Sequence, residues 1–309
     1  MEAFLGSLGI EMKSFLVFVH ILAYGAIAIL FLLIGKLIYG AFTRYQLDDQ
    51  LVQQDNTAVG LSLAGYFVAM VIIFAGVIPR TEVPLKDGLA DFAIYGALGI
   101  ILLNISRLVT DKMILYKFKI NKELIDDKNV GTGAVLAGAY IASGLVILAC
   151  IGGDITADTS VKAFGKSISP VTTGIVMSLI FFVVGQITFV VYSYIYAMTL
   201  AYNPHEEVEK DNVAAGISFG GGLIALGLIL YRAIHGDGFF HGWIDSLVYY
   251  GLLVLFAITI FPLIRFLVDK IMLRGSSLTK EIVEDRNVNA AYIEIICLNA
   301  FGAVILLAY

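Results

Sequence analysis

Long apolar runs, broken by short polar stretches, make up most of the chain. Eight of them reach the roughly 20 residues a helix needs to cross a bilayer: residues 15–42, 56–78, 89–109, 129–151, 171–196, 212–234, 244–268 and 287–308. Hydrocarbon offers backbone groups no partners, so a spanning run is a helix or a barrel strand. The ten-residue alternation of barrel strands is missing, and the runs predict helices. The first run is too long for a signal-peptide core and follows Glu2, Glu11 and Lys13 instead of a basic segment; it is expected to be a retained span. The pattern predicts an all-α integral membrane protein with eight transmembrane helices.

The apolar pattern also repeats. Residues 55–65 read DNTAVGLSLAG and residues 211–221 read DNVAAGISFGG, with six of eleven positions identical. KELIDDKNV at 122–130 returns as KEIVEDRNV at 280–288, displaced by 158 residues. Arg107, Asp111 and Lys112 recur at that offset as Arg265, Asp269 and Lys270, and Gly35-Lys36 matches Gly185-Gln186. Two tandem four-helix repeats, residues 1–158 and 159–309, are expected. Within each, Asn56, Asn129, Asn212 and Asn287 open the even-numbered helices. The result is four αα-hairpins of one type, pointing the same way. These are parallel repeats, whose pseudo-symmetry axis would run along the membrane normal.

Composition agrees: 59% of residues are hydrophobic and 15% charged, against about 25% charged in soluble domains. The net charge of −5 and the scattering of Lys and Arg between apolar runs exclude a nucleic-acid-binding face. With the N-terminus outside, 14 of the 20 Lys and Arg fall on the inner side, so the positive-inside rule predicts both termini outside. Cys150 and Cys297 lie about 15 Å apart in depth, too far for a disulfide, and make no metal-ligand spacing.

The Asp-Asn-Thr-Ala start at Asp55, the Lys-Asn-Val-Gly start at Lys128 and Asn203-Pro204-His205-Glu206 before Asn212 resemble the YjfL family of bacterial inner-membrane proteins. That family is defined by a domain of unknown function (number 350), and its members are often single four-helix units. The chain resembles a tandem pair of such units, with Arg44-Tyr45-Gln46-Leu47 standing where Pro-His is expected in the first copy. The resemblance implies the fold and a bacterial inner (plasma) membrane location, and no mechanism.

The four Asn residues suit helix N-caps, and Asp55, Asp127, Asp211 and Asp285 just before them suit the positive helix end. An amide both donates and accepts, so four at one depth around an axis would also build a hydrogen-bonded ring or a cytoplasmic vestibule. Asn203-Pro204-His205-Glu206 reads as a capping box, with a cation held by His205, Glu206, Glu207, Glu209 and Asp211 as the sharper alternative. His235, Asp237 and His241 form a second polar loop cluster, read as a turn. Intramembrane polar residues mark function by default. Glu294 is set about 10 Å into the last helix, where it would pair with Lys36 or Arg107 or line a wet cavity. Gln186, Asn104, Asn299, His20 and Asp91 are the other polar groups in or beside the spans. Lys36, Arg107 and Arg265 sit near the inner boundary, and Arg107–Asp111 and Arg265–Asp269 are i,i+4 pairs able to satisfy each other. Gly216-x-x-x-Gly220, Gly60-x-x-x-Ala64 and Ala134-x-x-x-Gly138-x-x-x-Ala142 are small-residue faces expected to pack hairpin on hairpin. Tyr116-Lys117-Phe118-Lys119-Ile120 suits an anionic leaflet.

No nucleophile, base or metal-ligand cluster shares a depth. No enzyme, catalytic residue, metal or cofactor is therefore expected. The lipid bilayer is the implied partner, and the basic loops are open to a second copy or a cytoplasmic protein. A non-enzymatic scaffold or accessory subunit leads, with a channel or transporter for ions or small solutes as the alternative. The feature that separates them is a continuous polar path from the Asn level past Glu294 to Asp91.

Overall fold

The computed structural model describes residues 12–43, 45–78, 83–117, 119–152, 162–163, 166–167, 170–235 and 243–308. The fold is all-α, with eight helices long and apolar enough to cross a membrane. In the first repeat these are α1 (Met12–Ala41), α2 (Thr57–Val77), α3 (Leu85–Val109) and α5 (Val130–Ile151), with a six-residue helix α4 (Ile120–Ile125) before α5. The second repeat has α6 (Pro170–Thr199), α8 (Val213–His235), α9 (Trp243–Leu267) and α11 (Val288–Leu307), with short helices α7 (Pro204–Glu209) and α10 (Leu278–Val283). A two-residue antiparallel pairing, Lys162–Ala163 with Lys166–Ser167, lies between the repeats. The third long helix of each repeat runs on into a π-helical turn, Thr110–Ile114 and Val268–Met272, again 158 residues apart.

The even spans form the centre. The most extensive helix contacts join α2 to α5, α5 to α8 and α8 to α11. α5 and α8 are buried over most of their length, while α1 and α9 are largely exposed, as lipid-facing helices should be. The four central helices therefore make a row with two free ends, and the closed arrangement about an axis expected from the four Asn residues does not form.

Small residues make the row possible. Apolar side chains gain nothing by leaving lipid for one another, so close backbone approach supplies the attraction. At the α2–α5 junction a methyl built on Gly65 would lie 2.6 Å from the Cβ of Ala137, and one on Gly144 2.9 Å from the Cα of Ala69. At α5–α8, Gly138 abuts the backbone of Gly220, Gly216 abuts Gly131, and Gly227 abuts Ala142. At α8–α11 the pattern becomes knob-in-hole: Ile295 fills the space left by Gly221. The small-residue faces at Gly216, Gly220 and Gly138 pack hairpin on hairpin as expected. Gly60-x-x-x-Ala64 does not: Gly60 meets only a methyl of Leu51, and Ala64 is exposed.

Gly138→Ala should lower the unfolding free energy by about 1–3 kcal/mol, because its new methyl meets backbone and cannot be relieved by a rotamer. Gly251→Ala, on α9 with nothing within 4 Å of the added methyl, should stay within about 0.5 kcal/mol of the parent. Thermal or denaturant unfolding in detergent checks both.

Candidate functional site

Each central helix begins with the same turn. The residue before each Asn is left-handed without being glycine: Asp55, Lys128, Asp211 and Arg286 have φ between 45° and 54°. Such a conformation costs about 1–3 kcal/mol and persists only where its surroundings hold it. Here backbone bonds hold it: the N–H of Asn56 donates to Gln50 O (2.9 Å), Asn129 to Glu123 O (2.8 Å), Asn212 to Glu207 O (3.0 Å) and Asn287 to Glu281 O (2.8 Å). Each Asn thus closes the preceding short turn, as in a Schellman C-cap, and opens the long helix. Its Oδ1 caps the helix, accepting from Val59 N, Thr132 N, Ala215 N and Asn289 N respectively.

The amide nitrogen does the rest. Asn56 Nδ2 donates to Gln50 Oε1 and to Leu124 O of the next hairpin, both at 2.8 Å. Asn129 Nδ2 donates to Glu123 Oε2 (2.8 Å) and Val208 O (2.7 Å). Asn212 Nδ2 donates to Glu207 Oε2 (3.1 Å) and Ile282 O (2.8 Å). Every junction of the row is therefore latched by one buried amide. Asn287 Nδ2 donates to Glu281 Oε2 (2.7 Å), with no hairpin beyond it. The amides do not bond to one another, and three of them are buried, so they form neither the expected ring nor a vestibule. Among the four aspartates, Asp211 Oδ1 accepts from Gly131 N across a junction (3.3 Å), Asp127 pairs with Lys122, and Asp55 and Asp285 are exposed. Gln50, Glu123 and Glu281 were not singled out from the sequence, and Glu207 was read only as a member of the alternative cation cluster. Aligning the four Asn residues would have found them, since each has Glu or Gln five or six positions earlier.

The carboxylates in the latches differ electrostatically. Burial pushes the Glu123 carboxyl above the usual value, only partly countered by the Asn129 amide. Burial acts likewise on Glu207, but Asn212, Lys210 and Arg286 outweigh it and hold it low. Glu281 is lowered by Ser276 and Asn287. His205, in α7, is buried; Nε2 meets Ile114 O at 2.8 Å, its ring lies against Tyr116 and Phe219, and burial keeps its pKa below the ordinary imidazole value. Glu206 points elsewhere, to Asn203 Nδ2 (2.7 Å) and Lys117 (3.7 Å). His205 and Glu206 do not converge on a shared site. In the expected capping box, Asn203 Oδ1 does accept from His205 N, but Glu206 returns to the Asn203 side chain rather than its backbone N–H. Among the described residues no group of three His, Cys, Asp or Glu could hold a metal. Asp237, His241 and Phe118 lie outside them.

The second polar feature lies deeper. Glu294, fully buried, is ion-paired with Arg265 and accepts from Ser218 Oγ at 2.7 Å. Its partner is thus Arg265 of the same repeat, and neither Lys36 nor Arg107. Lys36 pairs with Asp48. In the first repeat Leu136 stands where Glu294 is, and Arg107 is satisfied differently. Its guanidinium lies 4.1 Å from the centre of the Tyr39 ring and donates to Tyr39 O at 3.1 Å. Neither expected i,i+4 pair forms: Asp111 leaves a buried oxygen unpartnered, and Asp269 takes Lys270 and Leu278 N instead. Beside the Arg265–Glu294 pair is a cavity of about 250 Å³ lined by Tyr192, Tyr196, Arg265, Asp269, Ser277 and Glu294. Beyond it the facing surfaces of α8 and α11 turn apolar, with Ala225, Leu298 and Gly302. Asp91 is exposed on α3, which makes no extensive contact with α11. Of the remaining candidates, Asn104 donates to Tyr66 Oη and Ile100 O, Asn299 donates to Gly221 O and Ile295 O, His20 Nδ1 meets Leu16 O, and Gln186 is buried with neither amide atom partnered. Cys150 and Cys297 are unpaired.

Comparison with known proteins bears directly on the duplicated latch. The model of a family described as Domain of Unknown Function (DUF350) matches the chain twice, over residues 12–151 and 170–308. The chain belongs to the DUF350 family. A relative, the UPF0719 transmembrane protein of Aquifex aeolicus (strain VF5), is 22% identical over 273 residues, which is 86% of this chain and 92% of the relative. No solved structure matches. The two DUF350 copies each contain two of the Asn turns, which agrees with the internal repeat read from the sequence.

Asn129→Asp should cost about 3–5 kcal/mol at neutral pH, since it sets a buried charge against Glu123 and the Val208 carbonyl. Asn287→Asp, at the half-buried end of the row, should cost clearly less; melting temperatures in detergent compare the two. The signs reverse for the carboxylates. Glu207 is held low, so its stabilisation is complete above the ordinary glutamate value of about 4.3 and is lost as pH falls below it. Glu207→Gln should therefore destabilise by about 1 kcal/mol at pH 7. Glu123 is held high, so it penalises the fold as pH rises past the same value. Glu123→Gln, which copies Gln50, should leave the pH 7 melting temperature unchanged or higher.

Proposed function

We propose that this multi-pass membrane protein is a non-enzymatic scaffold or accessory subunit, with both termini outside a bacterial plasma membrane. The observation that carries this reading is the row itself: three successive junctions close on small residues, each latched by an amide, and among the described residues no line of polar side chains crosses from one end to the other. Helix junctions packed this closely suit holding partners in the membrane plane better than moving solutes between the helices. The latch loops, with Lys122, Lys210 and Lys280 exposed on them or at their edges, are the surface open to a cytoplasmic partner. The Aquifex relative is named a transmembrane protein, and neither its name nor the family's description gives an activity.

One observation favours the alternative of a channel or transporter. The Arg265–Glu294 pair borders a cavity, and buried ion pairs in membranes often mark substrate or proton routes. Flux measurements in liposomes decide between the readings. Purified protein should pass none of a panel of ions, protons and small solutes under imposed gradients. Flux that is present in the parent and changed by Glu294→Gln would replace the scaffold reading with transport beside α11. Removing one member of the pair costs about 3–5 kcal/mol, so Arg265→Met with Glu294→Leu should melt closer to the parent than Glu294→Gln does, and it serves as the folded control.

A further inference from the structure

The row of central helices stops at α11 on one side and α2 on the other, and both ends expose the positions that make the contacts inside it. Counted from the capping Asn, the residues that receive the preceding helix are the fourth, eighth and fifteenth: Gly133, Ala137 and Gly144 in α5, and Gly216, Gly220 and Gly227 in α8. In α2 those positions are Gly60, Ala64 and Val71. Ala64 and Val71 are exposed, and among the described residues no helix packs there. The residues that meet the following helix are the second, ninth and thirteenth: Ala58, Gly65 and Ala69 in α2, and Gly131, Gly138 and Ala142 in α5. In α11 they are Asn289, Ile296 and Ala300, all exposed.

The latch is open at the same end. Asn56, Asn129 and Asn212 each donate to their own turn and to a carbonyl of the next hairpin, whereas Asn287 has only its own turn. Its cap also differs. The three engaged residues accept from the N–H three positions on, and Asn287 accepts from two positions on.

We infer that a second copy of this chain continues the row, with α11 of one copy against α2 of the next. The junction between the two repeats, α5 to α8, is its template, because the copy-to-copy junction would again join a second-position repeat helix to a first-position one. Residue by residue, Asn287 then takes the role of Asn129 and reaches the carbonyl of Leu51, which follows Gln50 as Val208 follows Glu207. Asp55 takes that of Asp211 and accepts from Asn289 N, which the Asn287 cap releases by moving to Ala290 N, three positions on as in the engaged turns. Ile296 lies against Ala64 where Gly138 lies against Gly220, and Ala300 against Val71 where Ala142 lies against Gly227. The large-on-small pair Ile296–Ala64 reverses the Ile295–Gly221 pair already present at α8–α11. The larger side chains set this junction wider than those inside the chain, towards the ordinary helix separation of about 8–10 Å. It is a heterologous, head-to-tail contact, so it generates a closed ring or a longer row of chains.

Cysteine cross-linking in native membranes tests it. In a background with Cys150→Ala and Cys297→Ser, the double variant Ala64→Cys with Ile296→Cys should oxidise to covalent dimers and higher multimers. Co-expressed single variants should give the mixed dimer, and each single variant alone at least tenfold less. Homodimers from one single variant would overturn the head-to-tail contact in favour of a two-fold one. No covalent product from a double variant that melts like its cysteine-free parent would overturn the assembly altogether. Ala64→Phe provides a second reading: the position is exposed in the monomer, so the fold should survive. Native mass spectrometry from nanodiscs should then show the parent multimer lost to single chains; an unchanged multimer would place the interface elsewhere.

Discussion

A buried carboxamide placed where two helices meet is the constraint on which the rest of this structure depends. An Asn at a helix start must satisfy its own donor pair and help satisfy the free N–H groups of the first turn. In this chain one residue does both and adds a bond to the neighbouring hairpin. The left-handed residue before it is strained without being glycine, and that strain is tolerated because backbone bonds on both sides leave the chain no other course. Hairpin geometry, helix register and the spacing of the row all follow from that turn.

Once the amides fix the register, the small residues can act. Gly138 meets Gly220, and Gly216 meets Gly131, only if the two helices start at matching depths. A shift of one residue would rotate those glycines by about 100° away from the contact. The latch therefore lies at one end of each junction while most of the dispersion energy is gathered along its length. This division of labour also explains why α5 and α8 are buried nearly throughout while α1 and α9 remain at the lipid boundary.

The two repeats show how one buried guanidinium can be accommodated in two ways. Arg107 lies over the Tyr39 ring and donates to a carbonyl; Arg265 has a carboxylate. A ring face and a carbonyl are cheaper to bury than a second charge, because no carboxylate has to be desolvated. The second repeat accepts that cost, and a cavity of mixed polar and apolar lining lies beside Glu294. Duplication leaves one copy free to keep the packing solution while the other diverges.

Much of this was legible beforehand. Eight spans, the duplication and the helix-opening Asn residues follow from hydropathy, internal identity and capping chemistry, all of which act locally along the chain. The partners were not legible. Glu294 with Arg265, Asn129 with the Val208 carbonyl, and His205 with the Ile114 carbonyl join residues 29 to 91 positions apart. The exposed Gly60–Ala64 face was misplaced for the same reason. A small-residue stripe states that a helix can be approached closely, without stating by which helix. The sequence by itself determined that these helices span a membrane and how each one begins, because lipid and unpaired N–H groups impose those choices segment by segment. Only the tertiary structure decided that the hairpins stand in an open row, because which helix faces which depends on side chains meeting across space.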